Sequence, residues 1–112
     1  GLAHAVAQAL GGRFGIPHGA ANALSLAPAL RFNEPVAGAE IARLAEAMGV
    51  DDAADRAEEL ARLAGFERLR DLGVPEEGLE EVAELAAARP GNRANPRQAS
   101  ADEIRGLLRA IW

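Results

Sequence analysis

The chain holds two imidazoles, His4 and His18, and no cysteine. Imidazole is a ligand of intermediate softness that suits Zn, Fe, Ni or Cu. The spacing of the pair carries little by itself, because Gly11, Gly12, Gly15 and Pro17 lie between them and no single helix spans that segment. The local settings are more specific. His18 stands between Pro17 and Gly19 at a helix start, and His4 lies shortly before the Gly11-Gly12 end of the preceding helix. A tight return between the helices could aim both rings at one small volume. On spacing alone the plainer reading is favoured, one surface histidine and one capping or core histidine. Gln8 follows His4 by one helical turn and shares its face. Its amide could hold a substrate oxygen, or simply face solvent; it donates and accepts hydrogen bonds but does not titrate.

Other chemistries are poorly supported. A phosphate cradle at Gly11, Gly12 and Gly15 would need a preceding strand or a Gly-Lys-Ser/Thr sequence, and the chain has no lysine. Glu77, Glu80, Glu81 and Glu84 share a helix face that excludes the apolar stripe, as a solvated surface does. Ser25 falls in mid-helix, packed or bonded back to the preceding turn. No Ser/His/Asp or Cys/His arrangement is present.

The elements that must position these residues read as helices. Leu2, Val6 and Leu10 recur at helical spacing, predicting a helix over residues 2–11 that Gly11 and Gly12 end. A second helix is expected from His18 to Arg31, with Leu24 and Ala21 on its apolar side and a kink or break at Pro28. Phe32-Asn33-Glu34-Pro35 reads as a loop. A third helix over 38–48 would bury Ile41, Leu44, Ala45 and Met48 in one stripe and stop at Gly49. Asp51 or Asp52 caps the next, which runs to Ala64 with Ala57, Leu60, Ala61 and Ala64 on one face, and Gly65 stops it. Phe66 to Leu72 suits a short turn of helix. A helix begins around Pro75 and continues to Ala88, burying Leu79, Val82, Ala83 and Ala86. Arg89 to Arg97 is a polar loop with two prolines. Ser100 and Glu103 form a capping box ahead of Ile104, Leu107, Leu108 and Ile111.

The fold class is therefore all-α, about six helices in one domain spanning residues 1–112. A chain of this length buries roughly 60–70% of its unfolded surface, enough for a real core. The net charge is −5 and every basic residue is arginine, which argues against nucleic acid or an anionic membrane as a partner. No stretch approaches the roughly 18 apolar residues of a membrane span. With no signal segment, a cytoplasmic location is expected. The chain opens on Gly1 inside an amphipathic pattern, the expectation for a domain cut from a longer chain. An apolar surface for a missing neighbour is then expected through Leu2, Val6 or Leu24.

Gly1-Leu2-Ala3-His4, Leu10-Gly11-Gly12, Pro17-His18-Gly19, Asn22, Arg31-Phe32-Asn33 and Asn95-Pro96-Arg97 together resemble the iron-containing (group III) alcohol dehydrogenase family, which includes maleylacetate reductases and hydroxyacid–oxoacid transhydrogenases. The resemblance covers essentially the whole chain, strongly in the first third and at the Asn-Pro-Arg segment. It implies the C-terminal helical domain of a dehydroquinate synthase-like protein whose absent N-terminal α/β domain binds NAD(P). It also implies a metal, Fe²⁺ or Zn²⁺, held by one Asp and three His. Two of those histidines fall on His4 and His18, and the other two ligands lie upstream. The implied reaction is hydride transfer between nicotinamide and an alcohol or carbonyl substrate polarised by the metal, in a homo-oligomeric protein. The isolated segment is expected to be metal-free or weakly loaded, and inactive. Two departures stand out. Gln8 replaces a family histidine near the metal and nicotinamide, and Ala27-Pro28 stands where the family often has Pro-His. Two other readings therefore stay open: a maleylacetate reductase-like domain whose histidines line a metal-free pocket, and a non-catalytic helical interaction domain.

Overall fold

A computed structural model describes all residues, Gly1–Trp112. Six α-helices follow in order: α1 Leu2–Phe14, α2 His18–Met48, α3 Ala53–Leu63, α4 Leu79–Ala87, α5 Pro90–Arg93 and α6 Ala101–Ala110, with 3₁₀ turns at Leu69–Leu72 and Glu76–Gly78. There is no strand, in accord with the all-α expectation. No helix is long and apolar enough to cross a membrane.

Helix α1 does not end at Gly11-Gly12. It runs through both and stops at Gly15, whose φ of 65° is left-handed and whose N–H donates to the Gly11 carbonyl. A helix tolerates interior glycines at a cost of about 1 kcal/mol each; what ends it is the residue that must adopt positive φ.

Helix α2 departs further from expectation. It stays helical through Pro28, Phe32-Asn33-Glu34 and Pro35, so the expected loop is helix instead, and a kink at Ala37 separates this arm from the expected helix over 38–48, which ends at Met48 before Gly49. Its only non-helical dihedrals are at Ala37, two residues beyond Pro35. An interior proline costs about 3 kcal/mol, and burial offsets it here: Ala20, Ala21, Leu24, Ala27, Pro28, Ala29 and Phe32 are all buried. Past the bend the apolar stripe is not a core stripe. Ala45 is buried, but Leu44 is 41% and Met48 38% exposed. On α3 likewise Ala57 and Ala61 are buried, whereas Leu60 and Ala64 are exposed. The α2–α3 hairpin packs through small residues, with Ala27, Ala54 and Ala57 forming a minor cluster against Leu30.

The main core joins α1, α2, α4 and α6 through Leu2, Val6, Leu10, Leu24, Leu79, Val82, Ile104 and Leu108, with Leu69 sealing it. Leu2, Val6 and Leu24 thus face this chain's own interior, not a missing neighbour. The exposed large apolar side chains are Leu26, Val36, Leu44, Met48, Leu60, Leu63 and Leu85. Ser25 is buried as expected, and its hydroxyl has no hydrogen-bond partner.

Helix ends follow local chemistry. Gly49 closes α2 with φ 71°, the Asp52 carboxylate accepts from Asp55 N–H at 2.8 Å, and Ser100 and Glu103 cap each other reciprocally. The Ser100 N–H, then the nearby Arg97 charge, hold the Glu103 carboxyl below its usual range. A depressed folded-state pKa adds stability above the unfolded pKa and loses it as pH falls through the folded value. Glu103→Gln should therefore destabilise the chain at neutral pH, with the gap to the parent narrowing as the pH falls below the usual carboxylate range. Urea midpoints at neutral pH and along an acid series check this; a gap independent of pH would count against it.

Candidate metal centre

Three features of the α1–α2 corner bring the histidines together. Gly15 reverses the chain. Buried Ile16 then anchors the return in the core, and a Cβ on Gly11 would lie 3.4 Å from the Ile16 carbonyl oxygen, so the return lies directly against α1. Pro17, extended at φ −53° and ψ 136°, launches α2 at His18. Through this path the chain doubles back along α1 before the second helix begins.

The His4 and His18 ring centres lie 5.6 Å apart with planes at 82°, edge to face. Both residues are exposed. A metal about 2.1 Å from an imidazole nitrogen lies about 3.2 Å from the ring centre, so two rings in a tetrahedral site have centres roughly 5.2 Å apart. The observed spacing fits two ligands of one ion. No group of three or more His, Cys, Asp or Glu forms anywhere in the chain. Two imidazoles would fill at most half of a tetrahedral donor set.

Gln8 is half-buried on α1, one turn beyond His4. The glutamates Glu76, Glu80 and Glu81 are held in exposed ion pairs, with Arg109, Arg105 and Arg13 respectively. A pocket of about 260 Å³ lies between α2, α3 and α6 and is lined by neither histidine.

The polar segment Arg89 to Arg97 is not loop throughout: Pro90–Arg93 forms the short helix α5, and both asparagines of the segment are interior. Asn92 is fully buried and Asn95 is 7% exposed. Asn92 accepts from Ala99 N–H and donates to the Ala87 and Ala99 carbonyls, which folds the segment onto itself. Asn95 reaches α1 and accepts from the Leu2 N–H at 3.0 Å. One signal could have revealed it. Gly1 precedes α1 and offers no side-chain cap, so the first N–H groups need a partner from elsewhere.

Comparison with known proteins identifies the family. A family model described as Fe-containing alcohol dehydrogenase family, C-terminal, matches residues 1–112. The chain belongs to the iron-containing alcohol dehydrogenase family. Maleylacetate reductase of Burkholderia cepacia is 38% identical over 109 residues, covering 96% of this chain and 30% of that protein. The 1,3-propanediol dehydrogenase of Klebsiella pneumoniae is 36% identical over 124 residues, covering 100% of this chain and 32% of that protein. Among solved structures of the family, 1,3-propanediol oxidoreductase matches with a TM-score of 0.85 at 35% identity, over 100% of this chain and 32% of that one. The iron-containing alcohol dehydrogenase of Corynebacterium glutamicum matches with a TM-score of 0.82 at 32% identity, over 99% of this chain and 31% of that one. The chain thus spans about a third of the length of the family members it matches.

Proposed function

We propose that this domain supplies His4 and His18 to a divalent metal site, Fe²⁺ or Zn²⁺, of an NAD(P)-linked oxidoreductase acting on an alcohol or carbonyl substrate. An upstream nucleotide-binding domain would provide the remaining ligands. The observation that carries the reading is the 5.6 Å contact between two exposed imidazoles on different helices. A bound metal and nicotinamide supply, respectively, Lewis-acid polarisation of the substrate oxygen and hydride exchange. The chain's own residues hold and orient. His4 and His18, as neutral imidazoles, donate lone pairs from two rigid helices. Gln8 lies one turn along α1 on the His4 side and can donate a hydrogen bond to a substrate oxygen, but its amide moves no proton by titration.

A second reading is favoured by the similarity to maleylacetate reductase together with Gln8. In it, the same two rings line a reductase pocket that holds no metal tightly. Zn²⁺ titration of the full-length protein separates the two. The metal reading expects His4→Ala and His18→Ala each to weaken binding by more than about tenfold, and the isolated domain to bind weakly without hydride transfer. Unchanged binding in both variants would sink it. The pocket reading would then stand if those variants lose nicotinamide-linked reduction, and a non-catalytic domain if the parent has none.

A further inference from the structure

Asn33 and Asn95 stand 62 residues apart in sequence and form a reciprocal carboxamide pair. Asn95 Oδ1 accepts from the Leu2 N–H at 3.0 Å and from Asn33 Nδ2 at 3.1 Å. Asn95 Nδ2 donates to Asn33 Oδ1 at 2.6 Å and to the Arg97 carbonyl at 2.7 Å. Both lone pairs and both N–H groups of this amide are thereby used, a set that neither a carboxylate nor a smaller side chain can reproduce.

The pair does more than satisfy buried groups. Helix α1 carries His4 in its first turn, and Asn95 supplies the N-terminal acceptor that Gly1 lacks. Helix α2 carries both His18 and Asn33, and its dihedrals stay helical between them because the bend comes later, at Ala37. The two histidine-bearing helices are therefore joined at two separate points. One is the covalent turn Gly15 to Pro17. The other is the amide bridge, some 22 Å along α2 from His18 at about 1.5 Å per residue. Core packing of Leu2, Val6 and Leu10 against Ala21 and Leu24 holds the helices together, and the amide bridge adds a directional constraint at the first turn of α1, where His4 stands.

We infer that the Asn33–Asn95 pair is a positioning device for the His4–His18 site, fixing where the first-turn imidazole stands relative to the second. This rests on the metal reading above. Neither asparagine touches the rings; both act through the helices.

A double-mutant cycle tests it in the full-length protein, with Zn²⁺ affinity read by competition against a chromophoric chelator and urea unfolding of the metal-free protein as the check on folding. Asn33→Ala removes the link to α2 and leaves the Asn95 cap on Leu2 in place, so it is the milder variant; Asn95→Ala removes both. Residues that orient metal ligands typically change affinity by about 10–100-fold, so Asn33→Ala should weaken Zn²⁺ binding about tenfold and Asn95→Ala at least as much. In a His4→Ala background the Asn33→Ala effect should shrink to under about twofold, because the positioned ligand is gone. Equal losses with and without His4, or no loss from Asn33→Ala while His4→Ala itself weakens binding, would overturn the positioning role and leave the metal site standing. Unaltered binding in His4→Ala would overturn both.

Discussion

Asn92→Ala is expected to lower the unfolding free energy by about 3–5 kcal/mol, the largest effect of any polar substitution in the chain, since each buried group left unpaired costs about 1–3 kcal/mol. The carboxamide is wholly buried. It bonds the Ala99 N–H at 2.9 Å, the Ala99 carbonyl at 2.8 Å and the Ala87 carbonyl at 3.0 Å. Alanine would orphan all three backbone groups and leave a small void. Asn92→Asp should be as damaging, because it turns an oxygen toward two carbonyl oxygens where a donor stood. Domains are stable by only about 5–15 kcal/mol, so either variant loses a large fraction of the total. Urea unfolding decides it. A loss under about 1 kcal/mol would mean that water replaces the amide without penalty and that the segment does not depend on it.

Gly91→Ala should cost about 1–3 kcal/mol, the usual range for forcing extra atoms into a packed contact. An added Cβ would lie 2.9 Å from the Gly1 carbonyl oxygen and 3.4 Å from the Ala5 Cβ. The obstacle is backbone, so no side chain can swing aside. Alanine's advantage over glycine in a helix, about 1 kcal/mol, opposes the effect, but α5 has only four residues and the clash outweighs it. The displaced turn of α1 is the one that carries His4. The midpoint of thermal unfolding should fall by about 5–15 °C, at about 4–8 °C per kcal/mol for a domain near this size. An unchanged or raised midpoint would show that α1 and α5 do not approach so closely.

Both sites lie in a segment whose composition is that of a surface loop. Arg89 to Arg97 is rich in arginine, asparagine and proline, and nothing local distinguishes a solvated asparagine from one that replaces backbone partners inside a core. The same limit explains the helix ends. Gly11, Gly12 and Gly15 are alike in sequence, yet only Gly15 takes positive φ; which glycine ends the helix depends on where the return packs. Pro28 and Pro35 are both breakers locally, yet the helix runs on past Pro28, which is buried among apolar residues whose contacts outweigh the lost hydrogen bond, and kinks at Ala37 just beyond the exposed Pro35. Leu44, Met48 and Leu60 keep helical spacing but face outward, since periodicity marks a stripe without saying that something covers it.

The sequence by itself determined the all-helical class, a cap at Asp51 or Asp52 and another at Ser100, the core stripes of α1, α4 and α6, and the two histidines as the residues to watch. These follow from interactions between near neighbours: spacing along one helix, a side chain and the N–H three residues on, a glycine where the chain turns. Only the tertiary structure decided that the rings stand 5.6 Å apart, that the helix begun at His18 runs on past Pro28 to a kink at Ala37, and that Asn92 and Asn95 are interior. Those outcomes rest on contacts between residues tens of positions apart, and such contacts exist only once the helices have packed.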